Sequence, residues 1–82
     1  MPYINQEKRN EIYDGNPPKT AGELNYLFSQ EIVNYLYING ESYQTYNDII
    51  GVLEATKLEL YRRLVARYED KKLGENGDVY EL

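Results

Sequence analysis

A chain of 82 residues with ten tyrosines, no cysteine and no histidine carries a net charge of −5 at neutral pH. The missing thiols and imidazoles exclude disulfides, thiolate metal centres and the commonest general base. The negative charge provides no global attraction to nucleic acid or to an anionic membrane. One domain over residues 1–82 is therefore expected, and at this size regular helix packing or self-association must stabilise it.

The first 19 residues are expected to form an N-terminal arm and one short helix. Asn5 is a suitable N-cap for a helix over Gln6–Tyr13. Glycine, asparagine and two prolines over Asp14–Pro18 then interrupt any regular structure.

A capping box opens the second predicted helix, which covers residues 20–39. The Thr20 hydroxyl can accept a hydrogen bond from the Glu23 amide while the Glu23 carboxylate reaches back to Thr20. The apolar residues that follow form two stripes at helical spacing, so this helix needs two packing partners. The first stripe contains Leu24, Leu27, Phe28, Ile32, Tyr35 and Leu36, and the second contains Tyr26, Val33 and Tyr37.

The dipeptide Asn39-Gly40 has two interpretations. Glycine just beyond a helix adopts the left-handed conformation that satisfies the last carbonyls, which predicts a helix stop. Asn-Gly between two tyrosine-rich segments is also typical of a β-hairpin, here over residues 35–46. Helical periodicity on both sides of the dipeptide favours the helix stop, and the hairpin is kept as the alternative.

A long third helix is predicted over residues 42–72. Ser42 is its N-cap, with Thr45 three residues on, while Lys71, Lys72 and Gly74 suit its end. The remaining residues, 73–82, are expected to form a tail. Alternating steps of four and three residues give a seam typical of coiled coils, made of Tyr46, Ile50, Leu53, Lys57, Leu60 and Leu64.

The length of this helix predicts self-association. A helix of roughly 28 residues is about 42 Å long, whereas a compact domain of this size is only ~30 Å across. The overhanging part would leave apolar side chains in water. The predicted fold is all-α, with a short N-terminal helix and an antiparallel helical hairpin completed by a dimer. The candidate self-interface consists of Tyr26, Val33, Tyr37, Leu60, Leu64 and Tyr68.

In the alternative arrangement, the N-terminal helix and the C-terminal tail cover the apolar stripe within one chain. No foreign partner is then needed for stability. The two arrangements differ in the mass of the particle in solution.

Residues that support catalysis are sparse. The serines have no evident activating base, and the helical carboxylates match a solvated face better than a catalytic pair. The segment Glu75–Asp78 lacks the spacing of a calcium loop and is interpreted as a turn. No catalytic, cofactor-binding or metal-binding residue is therefore assigned, and the protein is expected not to be an enzyme.

Positive charge concentrates on the second half of the long helix, where tyrosines accompany it. This candidate anion or partner face contains Tyr61, Arg62, Arg63, Arg67 and Lys71. Basic and aromatic residues together can bind phosphates, nucleotides or single strands. Acidic residues are interleaved, however, so an ordinary charged helix face is the preferred interpretation.

Five segments of the chain, 22–26, 42–54, 57–63, 68–72 and 75–80, carry recognisable strings. Together they resemble a family of small uncharacterised proteins, a domain of unknown function found in bacteriophages and, often as prophage genes, in bacterial genomes. The most specific strings are Lys57-Leu58-Glu59-Leu60-Tyr61-Arg62-Arg63 and Glu75-Asn76-Gly77-Asp78-Val79-Tyr80. The resemblance covers residues 2–80. It implies a phage or prophage context, but no activity or ligand.

The expected function is that of a non-enzymatic, self-associating helical interaction protein that modulates a phage or host protein, in an accessory or anti-defence role. One alternative is a nucleic-acid or nucleotide binder that uses the basic face. Another is a minor virion or assembly component. No apolar run approaches the roughly 18–20 residues that cross a bilayer, and the start does not resemble a signal peptide. A location in the bacterial host cytoplasm is expected.

Overall fold

Three continuous helical stretches account for most of residues 4–80, the part of the chain that this computed structural model describes. Helix α1 spans Gln6–Tyr13 and α2 spans Ala21–Asn39. The third stretch, called the long helix below, contains α3 (Tyr43–Leu60), a π-helical turn (Tyr61–Val65) and α4 (Ala66–Asn76). Residues 4–80 contain no strand, so the all-α prediction is confirmed. None of the described helices is long and apolar enough to cross a membrane.

Contacts between residues divide the chain into two units, Met1–Thr45 and Tyr46–Leu82. In the first unit α1 contacts α2, and Ile12 on α1 is the most deeply buried apolar side chain, with 5% of its surface exposed. The second unit consists of the long helix from Tyr46 onwards and the segment after it. The single-domain organisation stays a prediction. Residues 1–3 of the predicted arm and 81–82 of the predicted tail lie outside the described residues.

Side-chain caps begin α1 and α2 where the sequence predicts them. The Asn5 side chain accepts a hydrogen bond of 2.9 Å from the Lys8 amide. The Thr20 oxygen accepts from the Glu23 amide at 3.1 Å, and its hydroxyl donates to the Glu23 carboxylate at 3.1 Å. The other carboxylate oxygen accepts from the Lys19 amide at 3.3 Å. The Glu23 carboxylate is therefore satisfied although the residue is only 7% exposed.

A second hydroxyl cap begins the long helix. The Thr45 amide donates to the Ser42 oxygen at 3.0 Å, and the two hydroxyl oxygens lie 2.8 Å apart. Thr45 is one of the few buried residues in the first unit, at 9% exposure. The predicted cap at Ser42 is confirmed, because this geometry satisfies an amide that has no partner within the helix.

Glycines with positive φ follow the ends of all three helical stretches. Gly15, Gly40 and Gly77 have φ values of +95°, +83° and +88°. The Gly40 amide donates to the Leu36 carbonyl, and the Gly77 amide donates to the Leu73 carbonyl, each at 2.8 Å. Asn39-Gly40 is therefore a helix stop, and the alternative of a β-hairpin over residues 35–46 is wrong.

The long helix extends four residues beyond its predicted end at residue 72. Gly74 lies inside α4 rather than at its end, and the helix continues to Asn76. The Lys72 ammonium is 3.3 Å from the Glu75 carboxylate, an ion pair that spans the last turn. The positive φ of Gly77 marks the true end. The predicted tail over 73–82 is correspondingly shorter within the described residues.

We expect Thr20→Ala to lower the free energy of unfolding by about 1–2 kcal/mol, because it removes the cap of α2 and one donor to the buried Glu23 carboxylate. Urea titration at one fixed protein concentration measures the change. Ser29→Ala is the control, since the Ser29 hydroxyl only donates to the Asn25 carbonyl within the same helix. That change should be neutral or slightly stabilising. Equal losses in both variants would contradict the capping role.

Candidate functional site

Apolar side chains on the second unit remain in water. No described residue from 46 to 80 is buried. The most regular set, here called the apolar row, consists of Ile50, Leu53, Leu60, Leu64 and Tyr68. Ile50 and Leu64 are 66% and 60% exposed, whereas core residues are normally below one tenth. A helix with an uncovered row of this kind is typical of a binding surface.

The π-helical turn sets the direction of the second half of the row. Its defining hydrogen bond runs from the Ala66 amide to the Tyr61 carbonyl, five residues back. A π-turn takes up one residue more than an α-turn, so every later residue is rotated back around the axis. Tyr68 thereby follows Leu64 on the row, and Arg67 is turned away from it.

A hydrogen bond shows this change of phase directly. The Tyr61 hydroxyl donates to the Glu69 carboxylate at 3.0 Å, across eight residues. In a regular α-helix, with 3.6 residues per turn, two residues eight apart are offset by about 80° around the axis. The extra residue of the π-turn removes most of that offset, so the two side chains lie along one line of the helix.

A shallow furrow lies beside the row at the π-turn. Its lining residues are Ala55, Thr56, Glu59, Leu60, Arg63 and Leu64. The floor is apolar, while Glu59 and Arg63 form an ion pair along its edge. Two of the predicted self-interface residues, Leu60 and Leu64, therefore share one groove with a residue of the predicted anion face.

The second apolar stripe of α2 is uneven. Val33 and Tyr37 are exposed and line a furrow with Ile12, Tyr13 and Leu27 at the contact of α1 and α2. Tyr26, predicted to belong to the same stripe, is half-buried and does not line this furrow.

Even the first stripe of α2 keeps several side chains in water. Leu24, Phe28 and Tyr35 are each more than two fifths exposed. The first unit therefore covers only part of its own apolar surface.

The six predicted self-interface residues fall into two groups, one in each unit. Tyr26, Val33 and Tyr37 lie on α2 in the first unit. Leu60, Leu64 and Tyr68 lie on the long helix in the second unit. Their assignment to a self-interface stays a prediction for both groups.

One carboxylate, that of Glu59, pairs with two of the four cations of the predicted anion face. The Arg62 guanidinium contacts both carboxylate oxygens of Glu59 at 3.2 Å, and Arg63 pairs with the same carboxylate. Arg67 and Lys71 make no ion pair with the described residues. Acidic residues are interleaved with these two cations, and the anion face and the ordinary charged face both stay predictions.

The pKa of Tyr61 is raised by its surroundings. The largest cause is the hydrogen bond that its hydroxyl donates to the Glu69 carboxylate, followed by the negative charge of Glu69. Slight desolvation and the charge of Asp70 add to the effect. A phenol that donates to a carboxylate is harder to ionise, so Tyr61 stays neutral and acts as a tether rather than as a base.

The described residues contain no group of three or more carboxylates that could hold a metal ion. Among the exposed carboxylates, Glu59 holds two arginines and Glu69 holds Tyr61. The Glu59–Arg63 pair is predicted from the sequence as an i,i+4 ion pair and is confirmed, whereas the contact of Glu69 with Tyr61 was not predicted. That contact depends on the π-turn.

The chain belongs to a family of domains of unknown function. A match to the family model DUF6899, a domain of unknown function, covers residues 1–79. The resemblance to such a family is therefore confirmed over nearly the whole chain. Comparisons with curated proteins and with solved structures gave no match.

We expect Glu69→Gln to lower the pKa of Tyr61 towards that of an ordinary tyrosine, because it removes the charge that stabilises the neutral phenol. NMR of ring-labelled tyrosine over alkaline pH measures this, with Tyr61→Phe to assign the resonance. Asp70→Asn is the matched control and should have a smaller effect, because Asp70 is the weakest contributor.

The sign of the pH dependence follows from the raised pKa. The contact between Tyr61 and Glu69 contributes fully below the ordinary pKa of tyrosine, and it is lost as pH rises through the higher folded value. A pKa of Tyr61 that is unchanged by Glu69→Gln would show that the two side chains are not in contact in solution.

Proposed function

We propose that the protein is a non-catalytic helical interaction module that self-associates through the apolar row of its long helix. The observation that carries the proposal is the complete lack of buried residues from 46 to 80, on a helix that holds five large apolar side chains in one row. Fully burying one such side chain contributes about 1.5–3 kcal/mol. Covering the row therefore provides a driving force of several kcal/mol for association.

The exposed area of the apolar row is close to the area that a protein–protein interface buries. With the flanking Tyr46 and Tyr61, the apolar row leaves on the order of 700 Å² of side-chain surface per chain in water. A standard protein–protein interface buries about 800 Å² per partner. A second copy is the simplest partner, since every chain presents the same row, and the predicted antiparallel hairpin completed by a dimer belongs to this proposal.

The proposed biological setting is the cytoplasm of a bacterium that carries the phage or prophage. The phage or prophage context rests on the resemblance of the strings over residues 57–63 and 75–80. In this setting the oligomer would bind a phage or host protein, in an accessory or anti-defence role. The exposed furrow of the first unit, with Val33 and Tyr37, provides an additional apolar surface for such a partner.

We expect light scattering on a size-exclusion column to show a dimer that persists over a wide range of concentration. Leu64→Glu should raise the dissociation constant at least tenfold, because it places an unpaired carboxylate in the covered row. Leu58→Glu is the matched control. Leu58 is 57% exposed, close to the 60% of Leu64, but it lies two residues before Leu60 and so about 160° away from the row around the helix.

A wild-type protein that is monomeric at every concentration would refute self-association. Equal effects of Leu64→Glu and Leu58→Glu would show that the apolar row is not the interface. Circular dichroism of each variant separates loss of association from loss of helix.

A further inference from the structure

The geometry points to an antiparallel orientation: two copies of the long helix pair head to tail, with the π-turn of each near the centre. This inference rests on the proposed self-association and adds to it the orientation of the second copy. It assigns the π-turn a position in the assembly. The charges along the helix, the place of the furrow and the course of the apolar row each favour this orientation.

The charges of the long helix differ between its two halves. From Tyr43 to Leu60 it carries three acidic residues and one lysine, for a net charge of −2. From Tyr61 to Asn76 it carries five basic and three acidic residues, for a net charge of +2. A head-to-tail pair places each acidic half against the basic half of its partner. A parallel pair would place like charges together along the whole length.

The helix dipole explains only part of this distribution. Acidic residues near the start of a helix and basic residues near its end are favoured, but the effect fades within one turn of each terminus. Glu54, Arg62 and Arg63 lie several turns from either end. Each of these residues also has an ion-pair partner within the helix, so a second helix would complement the net charge of each half rather than supply a missing partner.

The π-turn and its furrow lie at the middle of the helix, where a two-fold axis between antiparallel helices would pass. The furrow contains Leu60 and Leu64 on its floor and the Glu59–Arg63 pair on its edge. A two-fold axis here places the two furrows against each other. The Glu59–Arg63 pair of one copy then lies near the same pair of the second copy, so each charge has an opposite charge within reach. No like-charge contact is forced at that point.

The π-turn also keeps the apolar row continuous through the centre. Without the extra residue, the seam with steps of four and three would pass from Leu64 to Arg67 and Lys71. With it, Tyr68 follows Leu64, and the Lys72 ammonium lies 5.6 Å from the centre of the Tyr68 ring. The basic half therefore keeps an apolar side chain on the row that the acidic half of a partner can cover.

Distances between spin labels on two copies test the orientation. The chain has no cysteine, so Asn47→Cys and Leu58→Cys each provide one labelling site outside the row. In an antiparallel pair centred near residue 60, the labels at position 47 lie about 40 Å apart along the axis, at 1.5 Å per residue. Labels at position 58 lie only about 6 Å apart along the axis, so the width of the two helices sets their separation and it is the shorter of the two distances.

The outcomes are distinct. A long distance at position 47 with a short one at position 58 supports the antiparallel orientation. Short distances at both positions would show a parallel pair, and long distances at both would place the interface elsewhere; either result overturns this inference while self-association stands. The absence of any coupling between labels, together with a monomeric mass, would refute the proposed self-association itself.

Charge reversal provides a second, independent test. Glu54→Lys with Glu59→Lys changes the net charge of the chain by four, from −5 to −1, and makes both halves of the long helix basic. The smaller net charge by itself would favour association, because the two copies repel each other less. An antiparallel pair instead predicts a dissociation constant raised about tenfold, because two basic halves now face each other.

Restoration completes this test. Adding Arg63→Glu and Lys72→Glu to the same chain inverts both halves, returns the net charge to −5 and should recover wild-type affinity if the helices are antiparallel. Circular dichroism checks that every variant keeps its helix. A double variant that associates as well as or better than the wild type would overturn the antiparallel orientation.

Discussion

The second half of the chain is dominated by apolar surface that the long helix leaves uncovered within its own unit. The row of Ile50, Leu53, Leu60, Leu64 and Tyr68 belongs to a unit in which no described residue is buried. The chain has no cysteine, and its described residues contain no group that could hold a metal ion. In the proposed dimer, the second helix that covers the row would stabilise the long helix, because tertiary packing supplies most helix stability in proteins.

Hydrogen bonds at the helix ends supply the local order on which this surface is built. Asn5, Thr20 and Ser42 each satisfy an amide at the start of a helix, and Gly40 and Gly77 mark the ends of the second and third stretches. These devices fix where each helix begins and stops without any contribution from a large core. They explain how residues 4–80, among which Ile12 alone is a deeply buried apolar residue, keep well-defined helices.

The π-turn decides which side chains of the long helix share a face. It rotates α4 relative to α3, aligns Tyr61 with Glu69 and places Tyr68 on the row with Leu64. It also directs Arg67 away from that row, so a single extra residue in one turn separates the candidate self-interface from part of the candidate anion face. Features of this kind often occur at functional positions in helices.

The sequence by itself determined the helices, because the signals that specify them are local. Caps, glycine stops and the spacing of apolar residues act over three or four positions, so α1, α2 and the start of the long helix were predicted to within a residue or two. The end of the long helix was missed because Gly74 and Gly77 are both plausible stops, and only the backbone shows which has positive φ.

Only the folded structure decided the phase of the apolar row, because a π-turn arises from backbone hydrogen bonding that leaves no fixed pattern in the residues. The same holds for the candidate site. Side-chain types predicted which residues are apolar or charged. The exposure of the apolar residues, and the contacts that Glu59 and Glu69 make, depend on three-dimensional placement.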